Sequence, residues 1–463
     1  MFRTIGDGPS SWESLLPPEV LRLPEELARV DALLDDPAFF APFAPYFHPV
    51  IGRPCTPVEC YLRLMFLKFR YGLGYESLCG EVSDSISWRR FCRIGLDGRV
   101  PHPTTLMKLT SRCGEQTVAG LNEALWAKAS AAKLLRTARV RADTTVIAAN
   151  VAYPTDSGLL ARAVGKLVRT AQRVQAAGGA PDTPMTDRQR AAARRVRQIA
   201  AKLRSRGKLG REETTRAIRR VTGELADLAG KAAAQAAAVL RNGRRAVPRA
   251  LGRMRGRLRR ALDELATTIE RTGAIISQTR IRLAGQVPDG ATRLVSLHDP
   301  DARPIRKGRI DRPVEFGYKA QVSDNDDGVI LDYNVEYGAA PDGPQLAPAI
   351  ERITRRAGRV PRAVTADRGY GQATFERDLH ELGVRTVAIP RQGTTSATRK
   401  KLEHSRSFHR LVKWRTGSEG RISYLKRGYG WDRTRLDTRQ GAAIWCGHGV
   451  FAHNLVKIGA LAS

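Results

Sequence analysis

Apolar positions recur at two different spacings along this chain, and the change of spacing divides it. After Thr56-Pro-Val-Glu59, residues Tyr61, Leu62, Met65, Phe66 and Phe69 return at steps of three and four, which is the stripe of an amphipathic helix. Thr56 and Glu59 have the spacing of a capping box, with Pro57 at the first helical position. Pro18-Glu-Val-Leu-Arg-Leu-Pro24 begins with helix-start chemistry, and Tyr71-Gly-Leu-Gly-Tyr75 turns the chain. Further helices are expected from Glu76 to Val82, around Ser87-Trp-Arg-Arg-Phe91, and from Pro103 onward. Residues 1 to 135 therefore read as a helical unit. Two short helices about a glycine-containing turn fit a helix-turn-helix, and an ordinary bundle with basic edges fits equally well.

The period then falls to two. Val140, Ala142, Thr144 and Val146 alternate with polar residues, which predicts a strand with Asp143 on the face opposite the apolar set. Tyr153-Pro-Thr-Asp-Ser-Gly leaves that strand as a turn and a helix start, which accounts for Asp156. Later, Val314 to Val322, the turn Ser323-Asp-Asn-Asp-Asp-Gly328 and Val329 to Val335 make a hairpin. A helix over Gln345 to Ala357, a strand reaching Asp367 and a fifth strand over Val384 to Ile389 follow. The carboxylates of His298-Asp-Pro-Asp301 and of residues 324–327 lie in turn-rich sequence and are expected in loops.

Between these two strand regions the character of the chain changes. Residues 162–283 hold 30 Lys and Arg against 9 Asp and Glu, and no aromatic residue occurs between Tyr153 and Phe316. So little bulky apolar material is not expected to form a deep core. Stripes such as Ile218, Val221, Leu225 and Leu228, or Leu258, Leu262, Leu265 and Ile269, predict long amphipathic helices in a hairpin or short coiled coil with arginine-rich outer faces. Breaks are expected at Gly178 to Pro184 and at Arg206-Gly-Lys-Leu-Gly210. A merely solvated arginine face is the ordinary alternative, but this density favours contact with a phosphate backbone.

Charge supports that reading for the whole molecule. The 463 residues carry a formal net charge of +32, with a pI near 10.7, which points to a polyanionic partner, most often nucleic acid. Six scattered cysteines form no CxxC pair and read as reduced residues of a cytoplasmic protein. The amino terminus lacks an apolar signal core and no apolar run reaches the length of a membrane span, so a membrane role is not expected. Cys446, His448 and His453 match no zinc-finger spacing and read as packing of a terminal helix.

The candidate chemistry is a set of isolated carboxylates. Asp143 and Asp367 each sit in or at the end of a β-branched run, where an unpaired carboxylate is costly. Arg415, Glu419, Ile422 and Lys426 follow at steps of four, three and four, which places a glutamate between two cations on one helical face. Taken alone, that face could be an exposed ion-pair pattern. Two strand aspartates and a helix glutamate make an oxygen-only ligand set, which suits Mg²⁺ or Mn²⁺.

With these residues in view, the chain resembles the DDE transposases of bacterial insertion sequences. Arg415, Glu419 and Lys426 fit the Arg-x3-Glu-x6-Lys signature of related members, and Asp367-Arg-Gly-Tyr370 looks like their second aspartate motif. Gly52-Arg-Pro, Tyr71-Gly-Leu and Pro103-Thr-Thr-Leu106 look like the amino-terminal region implicated in recognising terminal repeats. Val412 stands where related members often carry Tyr.

The resemblance implies an α/β fold with an RNase H-like mixed sheet in the order β-β-β-α-β-α-β-α, interrupted by a long basic helical insertion and preceded by an all-α domain. The expected domains are 1–135 for DNA binding, 136–160 with 290–463 for catalysis, and 161–289 as the insertion. It also implies cleavage and strand transfer with two Mg²⁺ ions, for which Mn²⁺ can substitute. Asp143 would bridge both ions, Asp367 would hold one and Glu419 the other. Arg415 and Lys426 would hold phosphate, with Arg368 and Arg421 as weaker candidates. The expected partners are double-stranded DNA, both element ends and target, and further copies of the chain in a dimer or higher multimer at the nucleoid. Two rivals stay open from sequence: a catalytically inactive, arginine-rich DNA-binding protein derived from a transposase, and a nuclease of the same fold without end specificity.

Overall fold

Every described element before Arg139 is helical, as the three-and-four spacing requires. These are α1 (Pro18–Leu21), α2 (Glu25–Leu34), α3 (Val58–Arg70), α4 (Tyr75–Asp84), α5 (Ile86–Phe91) and α6 (Pro103–Ala131), with two 3₁₀ turns at Pro37–Phe39 and Ala41–Tyr46. The apolar stripe of α3 is buried along its length. The expected capping box does not form: Pro57 occupies the N-cap position without a side-chain cap bond, and Glu59 is buried within the helix. Gly72, at φ +66°, makes the turn between α3 and α4. The long α6 is interrupted by non-helical backbone at Gly114.

Strand β1 (Arg139–Ala148) follows, and then four helices: α7 (Asp156–Ala176), α8 (Gln189–Arg204), α9 (Arg211–Ala246) and α10 (Gly252–Leu283). Next come β2 (Arg303–Arg306), β3 (Val314–Asp324), β4 (Ile330–Tyr337), α11 (Gly343–Ala357), β5 (Ala363–Ala366), α12 (Ala373–Glu381) and β6 (Thr386–Ala388). Helices α13 (Ala397–Glu403), α14 (Arg406–Arg415), α15 (Gly417–Gly428) and α16 (Thr438–Leu461) complete the chain. The computed structural model describes residues 1–2, 16–52, 54–204, 210–307 and 313–462. Arg53 of the Gly52-Arg-Pro motif and residues 206–209 of the expected break lie outside them.

The chain divides into two units, one of Met1–Asn150 with Tyr318–Ser463 and the other of Val151–Gly317. The strands form a mixed α/β sheet in the order β4-β3-β1-β5-β6, with β2 pairing antiparallel to residues 314–317 of β3. Strand β1 was expected to bury one face. It lies between β3 and β5 with both edges paired, and both of its faces are covered, since Arg141, Asp143 and Thr145 are buried along with the apolar residues. In the first unit α16 packs on α2, α3, α6 and β4, which explains its almost continuous burial.

The Val151–Gly317 unit does have a core of its own, contrary to the expectation drawn from its lack of aromatics. Helices α7, α9 and α10 pack on one another through Leu160, Val164, Leu167, Leu225, Val239, Leu258, Leu262 and a row of buried alanines at 226, 229, 232 and 236. Small residues let helix backbones approach closely, so area is gained from many short contacts. A Cβ added at Gly243 of α9 would lie 2.8 Å from Leu262. Asp156 starts α7, as its turn setting suggested, and it pairs with Arg282 at 3.0 Å. No described helix is long and apolar enough to cross a membrane.

Candidate active site

Register places the two aspartates. Strand β1 runs parallel to β5, with Arg139 opposite Ala363 and continuing to Ala142 opposite Ala366. One residue further along each strand stand Asp143 and Asp367. Asp367 lies just past β5 and caps a short 3₁₀ turn, accepting the Gly369 amide at 2.7 Å. Asp143 lies within β1 and accepts the Thr144 amide at 2.8 Å.

Glu419 comes from the chain end. The single helix expected to carry Arg415, Glu419 and Lys426 is two helices: Arg415 closes α14 and Glu419 belongs to α15, with Thr416 at the junction. The Thr416 and Glu419 amides bond carbonyls three residues back, which tightens the chain there and ends the regular ladder. Helix α15 nevertheless packs on β1, and α14 packs on β5 and β6. The Arg415 guanidinium stands 3.4 Å from Asp143 and 3.7 Å from Glu419.

The electrostatics follow from this arrangement. Burial, reinforced by the charges of Asp367 and Glu419, raises Asp143 from the usual carboxylate range to about 6, against the pull of the Thr144 amide and Arg415. Burial and the nearby Asp342 charge raise Asp367, while the Gly369 amide, Arg415 and Lys319 oppose the shift. Glu419 remains 71% exposed. Asp143 thus feels the charges of both other carboxylates, and the Arg415 cation stands between Asp143 and Glu419. The all-oxygen donor set fits a hard divalent ion. Among the described residues, no group of three or more His, Cys, Asp or Glu side chains is gathered closely enough to hold a metal ion.

The flanking cations are spread more widely than their sequence spacing suggested. The Lys426 amino group donates to the Val146 carbonyl of β1 at 2.9 Å. Arg368 donates to the Arg391 carbonyl at 3.2 Å, and Arg421 lies 3.3 Å from Asp324. Asp324, expected in a loop, is the buried last residue of β3. The Cys446–His448–His453 set stays in the core: His448 stacks on Phe69, His453 donates to the Gly328 carbonyl at 2.9 Å, and burial lowers both imidazoles to about 3.

Four polar residues around this site, Asp342, Lys319, Gln321 and Arg141, escaped the sequence reading, which had named Tyr370 only as part of the Asp367 motif. Asp342 adjoins Asp367 and pairs with Lys319 at 2.6 Å. Its Pro341-Asp-Gly-Pro setting reads only as a turn. The buried Tyr370 hydroxyl accepts from Gln321 at 3.2 Å and feels the charges of Asp342, Asp143 and Asp367. Arg141 shares a strand face with Asp143, and that i, i+2 spacing was its one available signal.

Comparison with known proteins places two parts of the chain in transposase families. Residues 12–112 match a family described as "Transposase domain (DUF772)", and residues 287–455 match one described as "Transposase DDE domain". A protein of Rhizobium meliloti described as "Uncharacterized protein ORF8 in nfe locus" is 31% identical over 157 residues, which cover 32% of this chain and 74% of that protein. No solved structure matches the chain.

Proposed function

The chain belongs to the DDE transposases of insertion sequences, enzymes that cleave and transfer DNA, and we propose that it binds the terminal repeats of its own element and cuts and joins DNA there with Asp143, Asp367 and Glu419. The observation that carries this reading is the parallel register that sets Asp143 beside Asp367, with the Glu419 helix packed on the same strand. The strand order β4-β3-β1-β5-β6 supports an RNase H-like catalytic domain, for which 136–160 and 290–463 supply the chain.

Members of the family generally use divalent metal ions. Asp143, Asp367 and Glu419 would hold two, Mg²⁺ or Mn²⁺, which when bound neutralise charge on the phosphate and activate the attacking oxygen. The residues around them orient the DNA. Arg415, between two of the carboxylates, passes to a phosphate oxygen once those carboxylates are otherwise neutralised. Lys426 and Arg368 hold neighbouring phosphates, and Arg421 does so in competition with Asp324. Water attacks first to free a 3′-hydroxyl at the element end, and that hydroxyl then attacks target DNA in line. No covalent enzyme intermediate is required.

Residues 1–135 form the domain that reads the repeats, and 161–289 form the basic insertion. Its strongest feature is the end of the α9–α10 hairpin. Arginines 241, 244, 245, 249, 253, 255, 257, 259 and 260 are all exposed there, with no acidic residue between Asp227 and Asp263. That surface suits a duplex backbone. The protein acts as a dimer or higher multimer on DNA at the nucleoid. A fragment bearing the DNA that flanks the coding sequence, incubated with protein and Mg²⁺, is expected to be cut at the element boundary while a scrambled end is spared. Binding without cutting under Mg²⁺ or Mn²⁺ would favour a catalytically inactive DNA-binding protein, and cutting of both fragments alike a simple nuclease.

A further inference from the structure

A buried ion cluster behind the three carboxylates has no part in the mechanism above. Arg141, two residues before Asp143 on the same face of β1, makes a bidentate pair with Asp324 at 2.9 and 2.8 Å. Its side chain is 8% exposed and that of Asp324 is 1% exposed. The third guanidinium nitrogen donates to the Trp414 carbonyl at 2.8 Å, and the cation lies 4.8 Å from the centre of the Trp414 ring. Asp324 also receives Arg421 of α15. A single carboxylate at the end of β3 thus ties β1 to the α14–α15 junction.

That junction is where the active-site helix begins. Trp414 directly precedes Arg415, and Gly417 comes two residues before Glu419. The Arg141 guanidinium fills the space beside Gly417, where a Cβ would lie 2.2 Å from its nearest nitrogen. Likewise Arg421 packs over Gly328, which at φ +77° closes the β3–β4 turn with no room for a side chain. A buried ion pair adds little stability over apolar packing of the same volume, so stability alone is a weak reason for this arrangement. A fork of fixed geometry that bonds a carbonyl on one side and a carboxylate on the other sets position instead.

We propose that Arg141 is a positioning residue that fixes the α14–α15 junction against β1, and through it holds Arg415 and Glu419 in register with Asp143. This rests on the transposase reading, since register matters only if the three carboxylates act together. A displacement of about 1 Å in such a constellation costs on the order of 10²-fold in rate.

Two substitutions test it from opposite sides. Arg141→Lys keeps the charge and removes the fork. Gly417→Ala leaves Arg141 intact and pushes its guanidinium from its place. Gly420→Ala, on the same helix with nothing within 4 Å of the added carbon, is the matched control. Full-length protein is used, with end-DNA binding by gel shift, single-turnover cleavage of the bound complex, thermal melting, and Mn²⁺ binding followed through the free-ion EPR signal. Arg141→Lys and Gly417→Ala are expected to bind end DNA as wild type does, to cut about 10²-fold more slowly, and to bind Mn²⁺ more weakly. Gly420→Ala should match wild type in all four. Normal cleavage by a folded Gly417→Ala or Arg141→Lys protein overturns the assignment. So does a variant whose melting temperature falls while its cleavage per bound complex is unchanged, because that marks a purely structural pair. Wild-type protein that never cuts overturns the transposase reading itself, a distinct result.

Discussion

Trp431, Tyr61, Tyr318 and Tyr370 are wholly buried in the unit that carries Asp143, whereas the Val151–Gly317 unit buries Ala226, Ala229, Ala232 and Ala236 among leucines and valines. The polar groups differ in the same way. In the unit that carries Asp143, arginines are engaged one by one: Arg141 with Asp324 and Trp414, Arg415 with Asp143 and Glu419, Arg352 with Asp332. At the α9–α10 end nine arginines are exposed and no described carboxylate pairs with any of them, although Arg255 donates to the Val247 and Pro248 carbonyls. The first unit works through the identity and position of single residues. The second offers a density of charge, in which any one arginine is close to interchangeable with its neighbour.

Substitutions should therefore act locally and sharply in the first unit and diffusely in the second. The largest stability effect is expected from Trp431→Ala, which empties one of the largest buried sites and should cost about 3–5 kcal/mol in a denaturant titration. An unchanged midpoint would show that this core is not as tightly packed as its burial implies.

Asp143→Asn comes next, with a sign that depends on pH. Because Asp143 is raised from 3.8 to about 6 in the folded protein, its ionisation disfavours folding. The penalty is absent below pH 4, grows through the window from about 4 to 6, and reaches up to about 3 kcal/mol above it. The asparagine variant should accordingly melt higher than wild type at pH 7.5 and equally at pH 4. Mg²⁺ should raise the melting temperature of wild type and leave the variant unmoved. An Asn variant less stable than wild type at pH 7.5 would remove the electrostatic account of the site.

In the other unit, Gly243→Val should cost about 1–3 kcal/mol through overpacking against Leu262, because closely approaching helices have no slack. The smallest effect belongs to the arginines. Arg257→Ala should leave cleavage chemistry intact, weaken DNA binding a few-fold, and reduce the slope of log affinity against log salt by about 0.9. Arg259→Ala should do the same and the two should add. A single arginine whose loss abolished binding would break the contrast between the units.

How far the sequence revealed this depended on the range over which each signal acts. Local periodicity was enough for α3, for β1, for the β3–β4 hairpin and for the order of strands around Asp367. The carboxylates stood out because Asp143 and Asp367 interrupt runs where an aspartate is unfavourable, and Glu419 sits between Arg415 and Lys426 at helical spacing. The break at Thr416 was invisible, since residues on either side of it keep helical spacing. Arg141 and Asp324 are 183 residues apart, and nothing local marks either as the other's partner. Asp342 was hidden in a turn-like context. The alanine-rich core was misjudged because its packing comes from close helix approach, which composition does not report.

The central claim is that Asp143, Asp367 and Glu419 act as one site, and it is tested most directly by Mg²⁺-dependent cleavage of end-bearing DNA. Wild type would be compared with Asp143→Asn, Asp367→Asn and Glu419→Gln, each first shown to be folded and to bind the DNA. Cutting at the element end by wild type and a fall to the uncatalysed background in all three variants is the predicted result. Undiminished cutting by any one variant would contradict the account and remove that residue from the site.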